Sequence, residues 1–322
     1  MNEHTRDQAL PGAGPASPLE ERATVRLRAG GSTQPPPPPS PKEATRPPRY
    51  APEWLRLREP ADARARSVAA VGALRERLAR TPAPYGGLVV HDLGCGTGSM
   101  GRWLAPRLDG GQHWVLHDRD PHLLRLAAGT AAHRAADGAP VTVRTRRDEV
   151  AGLTAQALAG ASLVTASALL DVLTREETDA LAAACAAANC PALLTLSVVG
   201  RVGLTPADPL DTEITEAFDA HQRRAGLLGP DAVTAAGEAF AAHGAGVRVY
   251  PSPWRLGPGP RELTAQWLRG WVGAAVAQRP ALRPRADRYL AARLEACAAG
   301  ELRVVVHHAD LLALPPAPGG GA

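Results

Sequence analysis

Three glycines at alternate positions, Gly94, Gly96 and Gly98, follow an apolar run that carries an acid, Asp92, near its end. Because glycine has no Cβ, a turn built from them can adopt positive φ and let a ligand approach the backbone closely. Apolar residues then recur at helical spacing, and the free N–H groups at the start of such a helix point towards the same ligand. The pattern predicts a strand, a tight turn and a helix that bind a small molecule.

Two more acids fall at the ends of predicted strands. Asp118 closes the second apolar run, 24 positions beyond Gly94, where a carboxylate can accept both hydroxyls of a ribose; an ordinary surface carboxylate is the alternative. Asp148 follows the third run and can accept a hydrogen bond from the exocyclic amine of a purine, or pair with Arg146 or Arg147 on the surface. These placements favour a ligand that contains a nucleoside.

A general base is needed if the chain catalyses a reaction in which a bound molecule must lose a proton, and the sequence offers three candidates. Asp171 lies just past the end of the fourth predicted strand and is the first candidate. His221 follows the fifth strand and is the second, and the pair His307 and His308 is the third. For each of them a purely structural role is the alternative, and the histidine pair has no further ligand at metal-binding spacing.

The segments that position these residues alternate strictly between strand and helix up to about residue 200, which predicts a parallel sheet covered on both faces. Strands are expected to end near residues 93, 118, 145, 166 and 199, followed by a sixth strand at 247–250 and a last one at 302–306. Helices are predicted over 121–133, 174–189, 211–226, 230–243, 262–278 and 284–299, with a capping box at Thr174 and Glu177. The fold class is therefore α/β, with a doubly wound, mostly parallel sheet of seven strands.

A helical cap is expected ahead of the sheet, with one helix that begins near Ala61, just after Pro60. Three arginines of this cap could reach a carboxylate in the site or be ordinary solvated side chains: Arg56, Arg58 and Arg64. A helical insertion precedes the last strand. Its Trp267 and Trp271 could line a lid over an apolar substrate or pack between helices.

Composition sets the domain boundaries. Residues 1–48 mix Pro, Gly, Ser and charges, which predicts a disordered, proline-rich tail, and 315–322 form a second tail. The domain between them spans 49–314 and has four parts: the cap (49–80), a cofactor-binding core (81–200), the substrate-side helices with the sixth strand (201–301) and the last strand (302–314).

The charge and cysteine content narrow the class of protein. The net charge of +4 comes from arginines spread along the chain, with Lys42 the only lysine, so a nucleic-acid partner is not expected. Four cysteines show no C-x-x-C pair and no metal-ligand spacing with histidine, so no metal is expected. No signal peptide and no apolar run of about 18 residues is found. We therefore expect a soluble, cytoplasmic protein with no membrane partner.

The run His-Asp-Leu-Gly-Cys-Gly-Thr-Gly over 91–98 resembles the leading motif of class I S-adenosylmethionine-dependent methyltransferases, acid-x-Gly-x-Gly-x-Gly. The resemblance extends over about 85–200 and, less specifically, to residue 313. It implies that Asp92 and the turn face the methionine part, that Asp118 holds the ribose and that Asp148 approaches the adenine. The implied cofactor-binding residues are Asp92, Gly94, Cys95, Gly96, Gly98, Asp118, Arg119, Asp148 and Ser167.

By this resemblance the cofactor is S-adenosylmethionine, the reaction is in-line transfer of its methyl group, and the last strand inserts antiparallel between the fifth and sixth. The loop at 166–171 lacks the Asn/Asp-Pro-Pro-Tyr stretch of many nucleic-acid and protein amide-nitrogen methyltransferases, which favours a small-molecule acceptor. An NAD(P)-dependent oxidoreductase is the main alternative, because 96–101 also reads G-x-G-x-x-G, although Asp92 would repel a pyrophosphate. A non-catalytic nucleotide-binding protein that acts through its proline-rich tail is the other.

Overall fold

The protein is described by a computed structural model that covers residues 51–80, 86–148 and 153–316. The proline-rich tail predicted over 1–48 lies outside the described residues, as do residues 317–322 of the second tail. In the three described segments, no helix is long and apolar enough to cross a membrane.

The sheet is built outward from its central strand, β1 (Leu88–Leu93), which is buried on both faces and pairs in parallel with two neighbours. The strands run in the order β3 (Val141–Arg147), β2 (Gln112–Asp118), β1, β4 (Leu163–Ser167), β5 (Ala192–Thr205), β8 (Arg303–Leu314) and β6 (Gly246–Pro251). β8 is antiparallel to both β5 and β6, as the family resemblance implies. The predicted fold class is confirmed.

One correction concerns the strand count, because the sheet has eight strands within the described residues, whereas seven were predicted. The additional strand, β7 (Trp254–Leu256), pairs with β8 outside the main path. β7 has only three residues, in which the buried Trp254 and Leu256 flank one exposed residue. Such a short alternation in the sequence cannot distinguish a strand from a loop.

The cap contains two helices, α1 (Pro52–Ala65) and α2 (Val68–Ala79), so the prediction of one helix beginning near Ala61 is wrong. Pro52 lies in the first turn, where a proline costs no hydrogen bond, whereas Pro60 lies inside α1. The break falls at Arg66, whose backbone is extended, and the Ser67 side chain then accepts the Ala70 amide to cap α2.

The remaining helices follow the predicted order. They are α3 (Ser99–Leu104), α4 (Pro121–Gly129), α5 (Arg175–Ala187), α6 (Leu210–Gln222), α7 (Ala232–Ala242), α8 (Arg261–Gln278) and α9 (Arg283–Ala299). The capping box of Thr174 and Glu177 is formed at the start of α5. Trp271 is buried, stacks on Trp267 with ring centroids 5.0 Å apart and contacts Tyr289 of α9. Of the two roles considered for these tryptophans, the contacts correspond to packing between helices.

β5 does not stop near Val199 as predicted but continues to Thr205. Its pairing with β4 ends at Thr195, so its second half projects past the end of β4 and pairs with the first half of β8. We call this part of the sheet, 198–205 with 303–308 and β7, the projecting ribbon. Helices α6, α8 and α9 pack against it around a core of its own.

Candidate functional site

The glycine turn between β1 and α3 has the geometry that its sequence predicts. Gly94, Gly96 and Gly98 have φ angles of +57°, +56° and +83°. A Cβ placed on Gly94 would lie 3.0 Å from Leu169, and one on Gly96 would lie 3.2 Å from Leu55 of α1. Both glycines are therefore required for the conformation of the turn and for the close approach of the neighbouring segments.

Asp92 is fully buried beneath this turn. Its Oδ1 accepts a hydrogen bond of 2.7 Å from the Thr165 hydroxyl of β4, and its Oδ2 has no partner among the described side chains and backbone groups. Burial raises the pKa of the Asp92 carboxyl to about 7, while the Thr165 hydrogen bond and the charge of Arg66 act in the opposite direction. A cation bound beside Oδ2 would ionise this group.

Asp118 lies directly against the turn. Its Oδ2 accepts the Gly96 amide at 2.9 Å and its Oδ1 accepts the Asp120 amide at the same distance. Burial raises the pKa of Asp118, and the two backbone hydrogen bonds partly offset this effect. Since each carboxylate oxygen can accept two hydrogen bonds, both oxygens retain capacity for hydroxyl groups of a ligand.

Asp148 is the end of a chain of side chains that the sequence did not reveal. His117 Nδ1 lies 3.2 Å from Asp148 Oδ2, and His117 Nε2 lies 3.0 Å from His91 Nδ1, with the two rings stacked. Burial lowers the pKa of both histidines, that of His91 to about 4, so the pair is neutral near pH 7. Arg146 also pairs with Asp148 at 2.9 Å, as the surface alternative predicted.

Arg66, between α1 and α2, is a site residue that sequence reasoning missed. It is 2% exposed, and its Nη2 donates to the hydroxyls of Ser99 at 3.1 Å and Ser167 at 3.0 Å. Its Nε and Nη1 have no hydrogen-bond partner within the described parts of the chain. Burial lowers the pKa of Arg66 and the neighbouring Asp62 opposes this effect, but a guanidinium stays protonated in proteins. Arg66 is thus a buried cation beside the start of α3 and the end of β4, and two of its nitrogen atoms are free to donate hydrogen bonds to a ligand.

Helix α1 holds Arg66 at this place by contacts on two of its faces. Glu59 forms a two-point ion pair with Arg102 of α3, at 2.8 and 2.6 Å, and Trp103 donates its indole N–H to the Ala63 carbonyl at 3.1 Å. On a second face of α1, Asp62 pairs with Arg58 one helical turn earlier and lies four residues before Arg66, which directly follows the helix. Of the three arginines proposed from the sequence, Arg58 is half-buried, and Arg56 and Arg64 are exposed.

Asp171 and His308 are two further buried polar residues that the sequence suggested as candidate bases. Asp171 is 8% exposed in the turn Leu170–Val172 after β4, and His308 is 6% exposed on β8. Burial has the largest effect on both groups, since it raises the pKa of Asp171 and lowers the pKa of His308. The charge of Arg58 lowers the pKa of each.

The structure does not bring His221 or His307 into this cluster. His221 lies near the end of α6, where its carbonyl accepts a hydrogen bond from Arg224. His307 is 3.2 Å from Arg201 on the projecting ribbon. Cys95 is buried in the glycine turn, and burial raises the pKa of its thiol far above the usual range. The backbone carbonyl of Arg119 accepts a hydrogen bond from the Arg147 side chain.

No family model matches the chain, and no curated protein matches it in sequence. Solved structures do match. A cyclopropane synthase from Mycobacterium tuberculosis has 14% identity and a TM-score of 0.42, over 81% of this chain and 93% of that one. A phosphoethanolamine N-methyltransferase from Haemonchus contortus has 14% identity and a TM-score of 0.42, over 83% and 58%. A geranyl diphosphate methyltransferase has 11% identity and a TM-score of 0.38, over 86% and 95%.

Proposed function

We propose that this chain binds S-adenosylmethionine and transfers its methyl group to a small-molecule acceptor. The observation that carries the proposal is the buried Asp92 carboxylate directly beneath the glycine turn, with one oxygen free of partners in the described structure. A carboxylate at this place repels the pyrophosphate of a dinucleotide and attracts the ammonium and sulfonium groups of S-adenosylmethionine.

The residues around the turn match the parts of this cofactor one by one. The ribose hydroxyls would donate to Asp118, and the adenine amine would donate to Asp148. The carboxylate of the methionine part would accept hydrogen bonds from Arg66, whose Nε and Nη1 have no other described partner. Arg66 and Asp92 then hold the two opposite charges of the amino acid end, and Ser167 keeps the guanidinium in place through its hydroxyl.

The bound cofactor supplies a methyl group on a sulfonium, which is already a good electrophile. The protein therefore contributes mainly alignment and the exclusion of water. Leu55 packs over Gly96, and the ion pair of Glu59 with Arg102 fixes α1 beside the turn. We infer that α1 shields the reacting groups from solvent.

Calorimetric titration tests the proposal. S-adenosylhomocysteine, the demethylated cofactor, is expected to bind the full chain with one site, and NADH is expected not to bind at the same concentrations. Binding of NADH without binding of S-adenosylhomocysteine would refute the methyltransferase proposal and support the oxidoreductase alternative.

Cofactor affinity should depend on pH through Asp92. The ionised carboxylate binds the ammonium group, so affinity should be highest above the Asp92 pKa of about 7 and fall as the pH is lowered below it, approaching tenfold per pH unit. The pKa of His91, about 4, lies outside this window. Titrations of S-adenosylhomocysteine between pH 5.5 and 8.5 measure the slope.

The matched variant is Asp92→Asn, which keeps the shape of the side chain and removes the titrating group. Its affinity should be weaker at pH 8 and almost constant over the same pH range. A variant with the slope of the unmodified protein would show that another group titrates.

A further inference from the structure

Two buried polar atoms in the site have no role in holding the cofactor. They are Oδ1 of Asp171 and Nδ1 of His308, and neither has a hydrogen-bond partner in the residues the structure describes. Leaving such an atom unpaired away from water costs about 1 to 3 kcal/mol. Since both belong to side chains that are more than nine-tenths buried, they identify a place where a ligand is expected to supply the missing partners.

The surroundings of His308 are well defined. Its ring centroid lies 5.3 Å from that of Trp254, and the Arg58 guanidinium lies 5.0 Å above the same indole. The Trp254 N–H donates to Asp62 at 2.9 Å, and Asp62 also forms a two-point ion pair with Arg58, at 2.9 and 3.2 Å. Arg58, Trp254 and His308 therefore form one fixed wall where α1 meets the projecting ribbon.

The sheet register relates Asp171 to this wall. Asp171 lies four residues past Ser167, whose hydroxyl accepts a hydrogen bond from Arg66 and which pairs with Thr195 of β5. His308 pairs with Val198, three residues further along the same strand. Arg58 lies in α1 and Arg66 directly follows the last residue of that helix, eight positions later, so the end of α1 lies at the cofactor residues and Arg58 lies at the wall.

The charges of this region select the ligand. Arg58 is already neutralised by Asp62, so a further anion would meet the Asp171 carboxylate without a free counter-charge from this pair. An amine beside Asp171 would be held as an ammonium ion, which has no lone pair to attack a methyl group. A neutral hydroxyl group avoids both problems, because it can donate to Asp171 and can either donate to or accept from a neutral imidazole.

We propose that Asp171 and His308 bind a neutral acceptor with two neighbouring hydroxyl groups, and that Asp171 takes the proton of the hydroxyl that is methylated. This inference rests on the proposed methyl transfer. As the O–H proton moves to the Asp171 carboxylate, the acceptor oxygen forms a bond to the methyl carbon, the bond from that carbon to sulfur breaks, and S-adenosylhomocysteine leaves. His308 orients the second hydroxyl.

Catechol is a suitable probe, because it is small, neutral and carries two adjacent hydroxyl groups. It is expected to bind the complex of the full chain with S-adenosylhomocysteine, and to be converted to 2-methoxyphenol when S-adenosylmethionine is supplied. 2-Methoxyphenol and 1,2-dimethoxybenzene, which lack one and both donors, should bind progressively more weakly, the latter at least tenfold.

Two variants test the residues. Asp171→Asn and His308→Gln should each weaken catechol binding at least tenfold, and Asp171→Asn should lower the methylation rate at least 100-fold. Both should bind S-adenosylhomocysteine as the unmodified chain does, which also shows that they are folded. The control is Asp179→Asn, an exposed acid of α5 paired only with Arg175 in the described contacts, which should change neither ligand.

The possible failures can be told apart. If S-adenosylhomocysteine does not bind the unmodified chain, the proposed function itself fails. If it binds but catechol does not, or if 1,2-dimethoxybenzene binds equally well, the acceptor inference is overturned and the proposed function is not. Unchanged catechol binding in both folded variants would also overturn it, and if a variant does not fold, the three-ligand series on the unmodified chain decides.

Discussion

Replacing Arg66 with methionine should weaken the binding of S-adenosylhomocysteine about 100-fold, or about 3 kcal/mol, because hydrogen bonds to charged groups contribute up to this amount. Methionine fills a similar volume beside Trp103 but cannot donate to a carboxylate. The decisive comparison is with 5′-methylthioadenosine, which has the nucleoside and the thioether but not the amino acid end. Its affinity should be nearly the same in the variant and the unmodified chain.

The control for this experiment is Arg64→Met in the last turn of α1, since Arg64 is exposed and lies two residues before Arg66. It should bind both ligands normally. An Arg66 variant that lost affinity equally for both ligands would have lost the structure of the site rather than a carboxylate contact, and one that retained full affinity for S-adenosylhomocysteine would remove Arg66 from the cofactor site.

Asp118→Ala should weaken cofactor binding by about 1 to 3 kcal/mol, which is the usual cost of leaving buried hydrogen-bonding groups unpaired. The variant removes the acceptor for the ribose hydroxyls and also that for the Gly96 amide, so the turn itself loses a fixed point. Calorimetry with S-adenosylhomocysteine measures the loss, and 5′-methylthioadenosine should lose as much, because it carries the same ribose.

Asp120→Ala provides the comparison for Asp118. The Asp120 side chain caps α4 by accepting the His122 amide at 2.8 Å, so its loss should lower thermal stability while cofactor affinity is kept. If Asp120→Ala and Asp118→Ala reduced affinity alike, the effect of Asp118 would come from the loop and not from contact with the ribose.

Sequence reasoning succeeded where the signal is local. The glycine turn, the capping box at Thr174 and the predicted end of the last helix at 299, just before Gly300 with its positive φ, each depend on a few consecutive residues with defined backbone requirements. Asp118 could be placed beside the turn because the right-handed strand, helix, strand unit brings the ends of adjacent strands together.

The features it missed depend on contacts between distant segments. Arg66 contacts Ser99 and Ser167, which are 33 and 101 residues away, and nothing in the local pattern separates it from the exposed arginines of α1, the helix that it directly follows. The continuation of β5 through Gly200 was missed for a related reason, since that glycine does have positive φ, yet pairing with β8 resumes beyond it. Long-range pairing thus overrides the local preference of glycine for a turn.

The Asp310 carboxylate joins two distant segments of the chain next to Arg66. Its Oδ2 accepts the Ser67 amide at 2.7 Å and its Oδ1 accepts the Leu196 amide at 2.9 Å, across sequence separations of 243 and 114 residues. Arg66 immediately precedes one of these anchored amides, and Asp310 lies in β8, far along the chain from Arg66. A chain that ends before β8 should therefore carry the whole glycine turn and still fail to position Arg66 for the carboxylate contact that we propose.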